Sequence, residues 1–98
     1  MNINQIKNEN KLTLAIEGRI DTKTAPQLEK TLAEVLDGIK ELTFDFTDVS
    51  YISSAGLRVL MSAQIRMNEQ GRMTVIHANE DLMEIFEITG FTEILTIE

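Results

Sequence analysis

Two adjacent serines, Ser53 and Ser54, close the stretch in which this chain gathers its reactive groups: Asp45-Phe46-Thr47-Asp48-Val49-Ser50-Tyr51-Ile52-Ser53-Ser54-Ala55-Gly56-Leu57. A nucleophilic serine needs a base, and no Ser–His–Asp pattern accompanies the single histidine, His77. There is no G-x-S-x-G elbow, no glycine-rich phosphate cradle and no dinucleotide fingerprint. Asp45 and Asp48 are two carboxylates near a strand end, which is weak ground for metal binding or acid–base work. One histidine cannot build a multi-histidine centre, and a chain without cysteine has no thiolate and no disulfide. A phosphoacceptor receiver would carry an acidic pair, an acceptor aspartate and a late-strand lysine, and that set is missing. The expectation is a protein that is not an enzyme and uses no cofactor or metal, with His77 a packed or hydrogen-bonded side chain.

Position gives the serines another use. Leu42, Phe44 and Phe46 alternate with Thr43, Asp45 and Thr47 as in a strand; a short polar loop is expected next, then a helical pattern from Leu57 to Gln70. A serine at a helix start sits among unpaired N–H groups at the positive end of the macrodipole, which tolerates an added phosphate. Serine is also a preferred helix cap, and local chemistry by itself favours that plainer role.

The elements that must position this stretch read as β-β-α-β-α-β-α-β. Residues 2–7 carry a weak strand signal, Asn8-Glu9-Asn10 a turn, and Leu12, Leu14 and Ile16 alternate with Thr13, Ala15 and Glu17 in an antiparallel neighbour. Gly18 ends the alternation, and residues 19–23 form a loop. Thr24-Ala25-Pro26-Gln27 fits a capping box, with proline tolerated in the first turn. Ala25, Leu28, Leu32, Val35, Leu36 and Ile39 line one face of the first helix, and Gly38 stops it. The second helix, residues 54–70, has a wide apolar arc whose margin is Leu57, Met61 and Ile65. That margin is either a seat for a partner or a strip covered by a neighbouring helix or loop. Gly71 stops this helix, and residues 72–78 read as a buried strand. Asn79 caps a third helix that ends at Gly90, and Ile94, Leu95 and Ile97 suggest a short final strand. The fold class is α/β: a mainly parallel mixed sheet of about five strands with an antiparallel edge, and three helices on one or both faces.

Composition narrows the function. The 98 residues are expected to form one domain, 1–98, and 43% hydrophobic with 26% charged residues is the balance of a soluble globular chain. A net charge of −7, with nine scattered basic residues against sixteen acidic ones, argues against nucleic acid. No apolar run is long enough to cross a bilayer, and residues 1–11 are unlike a signal peptide. A cytoplasmic protein is expected, acting through another protein if it affects transcription.

The stretch Asp48-Val49-Ser50-Tyr51-Ile52-Ser53-Ser54-Ala55-Gly56-Leu57 resembles the STAS domains, specifically the anti-sigma factor antagonists. So does Gly18-Arg19-Ile20-Asp21-Thr22-Lys23-Thr24-Ala25, which is similar to the family's G-x-(apolar)-D-x-x-T-A segment, as does Ile88-Thr89-Gly90-Phe91. In that family the serine two residues before the glycine is phosphorylated by a cognate anti-sigma factor serine kinase. The resemblance makes Ser54 the acceptor, reversing the balance with the plain cap, and makes Asp21 an acidic loop residue beside it that contacts the partner. It implies that the unphosphorylated form binds the anti-sigma factor and frees the sigma factor, that phosphorylation releases it, and that a serine phosphatase resets it. Ser53, Ser54, Leu57 and Met61 would share the contact surface with Asp21.

Two departures stand out. Ser53 replaces the aspartate that often precedes the acceptor, which makes it an alternative acceptor. Many members continue into a C-terminal helix, whereas this sequence ends at Glu98, leaving part of the sheet less covered or covered by a partner. The competing expectation is a constitutive STAS scaffold or subunit, such as the soluble component of a lipid-transport complex, in which Ser54 is only a cap. A hydrolase using Ser54 would lack a base.

Overall fold

The alternation read from residues 12–16 and 42–46 forms the centre of a four-stranded sheet. The computed structural model describes residues 1–98. Its elements are β1 (Asn2–Asn8), β2 (Lys11–Ile20), α1 (Ala25–Val35), β3 (Glu41–Ile52), α2 (Ser54–Gln70), β4 (Arg72–Ile76) and α3 (Glu80–Thr89), followed by a 3-10 turn at Phe91–Glu93. The strand order is β1-β2-β3-β4. β1 is the antiparallel edge, and β2, β3 and β4 run parallel. A two-residue turn with Glu9 at φ 58° joins β1 to β2.

One face of the sheet makes the core. Leu12, Leu14, Ile16 and Ile20 of β2, Leu42, Phe44, Phe46, Val49 and Ile52 of β3, and Met73 and Val75 of β4 are buried together with the apolar sides of all three helices. Residues between them in the strands, such as Thr13, Thr43, Thr74 and Asp45, are only half-buried. The helices therefore cover one face and leave the other open, which answers the question the pattern left unsettled. No helix is long and apolar enough to cross a membrane.

Four local expectations give way. The fifth strand is reduced to a single parallel bridge between Val75 and Ile97, so the sheet has four strands rather than about five. The polar loop expected after Phe46 is strand as far as Ile52, and the loop expected from Arg19 begins only after Ile20. Asp45 pairs with Ala15 and Ile52 with Ile20, so β3 spends seven steps where β2 spends five; two register shifts absorb the extra residues. Those bulges change the buried spacing from two residues (Leu42, Phe44, Phe46) to three (Phe46, Val49, Ile52). The strand expected over residues 72–78 ends at Ile76, because His77 takes the left-handed conformation at φ 62°.

The capping box at Thr24 does not form. Thr24 has helical φ/ψ and makes no side-chain cap. Its hydroxyl instead accepts from Asp21 N–H at 2.8 Å and donates to the Arg19 carbonyl at 2.7 Å. Gln27 reaches the Met1 carbonyl at 3.3 Å rather than its own helix start.

Candidate functional site

The carboxyl ends of β2 and β3 lie side by side, and each opens into a helix approach. β2 ends at Ile20 and turns through residues 21–24 into α1; β3 ends at Ile52 and passes through Ser53 into α2. The Ile20 carbonyl accepts from Ser53 N–H at 2.8 Å, so the turn that starts at Asp21 and the start of α2 are fastened together. Gly56 allows this approach. A Cβ there would stand 2.7 Å from both Ile20 Cγ2 and Ile52 Cγ1 and 3.0 Å from the Ile20 carbonyl. Only a residue without a side chain lets the first turn of α2 lie this low on the sheet.

The two serines divide the work differently from a pair of equivalent caps. Ser53 is the N-cap, with extended backbone, and its Oγ accepts from Gly56 N–H at 3.3 Å. Ser54 is the first residue of the helix proper, exposed, and its hydroxyl makes no hydrogen bond within the chain. The cap role thus belongs to Ser53, and the hydroxyl next to it is left free.

Asp21 shapes the adjoining turn. Its Oδ1 accepts from Lys23 N–H at 3.0 Å and Thr24 N–H at 3.1 Å, and lies 3.2 Å from the Thr24 hydroxyl, whose proton points mainly to the Arg19 carbonyl. Arg19 Nε stands 3.5 Å from Oδ2, and the Arg19 guanidinium lies 4.5 Å from the centre of the Tyr51 ring. The Thr24 N–H holds the Asp21 carboxyl below its ordinary range; partial burial opposes this, and the Lys23 N–H, the Thr24 hydroxyl and Arg19 reinforce it.

A second polar knot stabilises the bulged part of β3. Thr47 Oγ1 donates to Asp45 Oδ1 at 2.6 Å. Its one proton is spent there, so at 2.9 Å it accepts from His77 Nδ1–H. The Thr47 hydroxyl is the main influence lowering the Asp45 carboxyl, against partial burial, with the Thr47 N–H and His77 adding to it. His77 is thus hydrogen-bonded and exposed. Asn79 Oδ1 caps α3 through Leu82 N–H at 2.8 Å, and Asn79 Nδ2 donates to the Val49 carbonyl at 3.3 Å, tying α3 to the same irregular strand.

Beside Ser54 lies an open depression of about 360 Å³, lined by Leu57, Arg58, Met61, Thr89 and Phe91 as well as Ser54. The margin expected to be exposed is split here. Leu57 is only 6% exposed and belongs to the core, so the contact strip narrows to half-buried Met61 and exposed Ile65. Asp21, Ser53 and Ser54 follow the carboxyl ends of β2 and β3, Met61 lines the depression beside Ser54, and Leu57 is buried beneath it. The pairing of Thr47 with Asp45 and His77 was not read from the sequence, since it depends on a bulge and a left-handed residue that no short motif announces.

The arrangement offers no acid–base pair around Ser54 and no cluster of three metal-ligating side chains. It offers an accessible hydroxyl at a helix start, an ionised carboxylate in the neighbouring turn and an apolar hollow alongside. Comparison with known proteins identifies the family. A family model described as a Mlab, STAS domain matches residues 3–96. The anti-sigma-B factor antagonist of Bacillus subtilis (strain 168) is 32% identical over 98 residues, covering 99% of this chain and 90% of that protein. The fold is shared with the anti-sigma factor antagonist SpoIIAA in its unphosphorylated form, at TM-score 0.77 and 10% identity over 99% of this chain and 87% of that one. It is shared equally with SpoIIAA in the phosphorylated form, at TM-score 0.76 and 11% identity over 99% and 91% of the two chains. The chain belongs to the STAS domain family, among the anti-sigma factor antagonists.

Proposed function

We propose that this chain is a phosphorylation-switched antagonist. Unphosphorylated, it binds an anti-sigma factor that is also a serine kinase, and so frees a sigma factor. Phosphorylated on Ser54 by that kinase it lets go, and a serine phosphatase returns it to the binding form. We place the switch in the cytoplasm, with the transcription machinery a sigma factor serves, and assign residues 1–98 to one STAS domain that does no catalysis of its own.

The observation that carries the reading is the Ser54 hydroxyl, exposed and unbonded at the first position of α2. Ser53, the alternative acceptor, is half-buried and its oxygen already serves Gly56 N–H. The name of the Bacillus subtilis relative supports the class of partner, and the two forms in which SpoIIAA is known support the modification. A phosphate adds roughly −1.5 to −2 charges, which the helix N-terminus accommodates at little cost to folding. In a docked complex the same charge would be desolvated close to the ionised Asp21. Losing about 3 kcal/mol of binding in this way weakens affinity about a hundredfold, enough for a switch.

Incubation with the cognate kinase and ATP, read by intact mass and peptide mapping, tests the proposal. One phosphate on Ser54, absent from Ser54→Ala, is the expected result. Phosphate on Ser53 moves the site by one residue. No phosphate on either serine removes the switch and leaves a constitutive STAS scaffold, in which Ser54 serves only the helix.

A further inference from the structure

We infer that Arg58 clamps a phosphate carried by Ser54, so that the helix bearing the modified residue also supplies its counter-charge. This rests on the reading of Ser54 as the acceptor. Ser54 opens α2 and Arg58 lies four residues on, the spacing at which helix side chains are neighbours. Side chains on a helix lean towards its N-terminus, so Arg58 covers the turn that Ser54 begins. Both residues line the depression beside α2, and Arg58 also borders the hollow on the other flank, with Thr22, Ala25, Pro26 and Glu29.

The guanidinium is uncommitted. Arg19 is held by Asp21 and the Tyr51 ring, and Arg66 bonds Asp37 at 2.6 Å, but Arg58 has no ion pair and no hydrogen bond. Glu29, which shares its flank, does not come within ion-pair distance. An exposed arginine whose fork has no partner, next to a hydroxyl that has none, gains one when a phosphate is added, because guanidinium and phosphate match as a bidentate pair. The modification then does two things at once: it places negative charge at the docking end and draws a cation inward from the rim of the depression. The other cations of this end are Arg19, held by Asp21 and the Tyr51 ring, and Lys23, in the turn that Asp21 closes.

The test uses protein carrying phosphoserine at position 54, incorporated during translation so that no kinase is needed, and follows its phosphorus resonance against pH. A guanidinium in contact stabilises the dianion. The titration midpoint of the parent should therefore lie about 0.3 pH unit below that of Arg58→Gln, the shift expected from one helix-spaced charge pair. Arg58→Lys should fall between the two. Arg72→Gln, the same charge change at the amino end of the sheet, should match the parent. Release of the phosphate by alkaline phosphatase should be about twofold faster in Arg58→Gln. Identical midpoints in the parent and Arg58→Gln, or a shift produced by Lys23→Gln alone, would overturn the clamp and leave the switch standing. A cognate kinase that leaves Ser54 unmodified would overturn the switch, and the clamp's regulatory role with it.

Discussion

The two ends of the parallel sheet are built by opposite rules. At the amino end β2, β3 and β4 start level, with Lys11, Glu41 and Arg72 in one row and Leu12, Leu42 and Met73 in the next. The approaches to the strands are bonded directly to one another, Lys40 N–H to the Asn10 carbonyl at 2.8 Å and Arg72 N–H to the Lys40 carbonyl at 2.9 Å. At the carboxyl end β3 runs past β4 and carries two register shifts. Polar side chains take over there: Asp21 holds its turn, Thr47 joins Asp45 to His77, and Asn79 bonds the strand itself. Regular pairing satisfies the backbone without help from side chains. Giving up that regularity at one end re-aims residues and exposes them, which is the common setting of β-bulges beside functional sites.

Two glycines should break the contrast with the largest effects. Gly71 has extended backbone at φ 178°, so its need is for space: a Cβ would overlap the Lys40 carbonyl in the level end of the sheet. Gly71→Ala should cost about 3 kcal/mol or more in chemical denaturation, because backbone rather than a pliable side chain must give way. Gly56→Ala presses mainly on the Ile20 and Ile52 side chains, and alanine offers some helix propensity in return. It should cost about 1–2 kcal/mol. It should also lift the start of α2 off the sheet, so that phosphorylation of Ser54 slows more than the stability loss accounts for. A cost for Gly56→Ala equal to that of Gly71→Ala, with unchanged phosphorylation kinetics, would erase the distinction between the ends.

What the sequence disclosed follows the same division. The bounds of α2, the caps of α3 at Asn79 and Gly90, the antiparallel edge and the alternation of residues 42–46 are all local patterns, and each is present. The second half of β3 was illegible because its bulges turn a period of two into a period of three, as Phe46, Val49 and Ile52 show. Thr24 and Gln27 matched a capping box by spacing, yet Thr24 Oγ1 found a better partner in Asp21 N–H. Leu57 looked like an exposed helix margin, but it is buried at the floor of the depression between α2 and residues Thr89 and Phe91, and only Met61 and Ile65 of that margin stay accessible. Local pattern located both serines; the backbone, extended at Ser53 and helical from Ser54, makes Ser53 the cap.

Smaller effects should come from the polar groups that replace regular pairing. Asp45→Asn should cost about 1 kcal/mol at pH 7, since the carboxylate receives both the Thr47 hydroxyl and its N–H. The folded-state carboxyl lies below its ordinary value of 3.8, so its contribution is present above that pH and is lost as pH falls through the folded value. Parent and Asp45→Asn should therefore converge in denaturation curves as pH falls below the folded value; a gap that stays constant from neutral pH into acid would show that the charge is not the source. Ser53→Ala should cost about 0.5 kcal/mol, the low end for a cap, in keeping with its long 3.3 Å bond. It should leave Ser54 fully phosphorylated, and loss of modification there would mean that Ser53 belongs to the acceptor site.

The finest test separates charge from shape at Asp21. A surface loop carboxylate with no apolar neighbours would be free to serve only a partner, but this one closes the turn between β2 and α1 through Oδ1, with bonds from two N–H groups. Asparagine keeps an acceptor in that place and removes the charge; alanine removes both. Asp21→Asn should then melt close to the parent at pH 7 and bind the anti-sigma factor more weakly, while Asp21→Ala should lose both stability and affinity. The pH dependence distinguishes the two losses. The Asp21 carboxyl titrates below its ordinary value of 3.8, so the parent keeps the stabilising contribution above that value and loses it as pH falls below it. Asp21→Asn has no such proton to bind and should show a flatter acid limb, so that, starting close to the parent at pH 7, it lies above the parent once the Asp21 carboxyl is protonated. Asp21→Ala, lacking the acceptor altogether, should lie below both at every pH. If Asp21→Asn instead binds its partner as the parent does, the carboxylate serves the turn alone. The docking surface then begins at Ser54 and Met61.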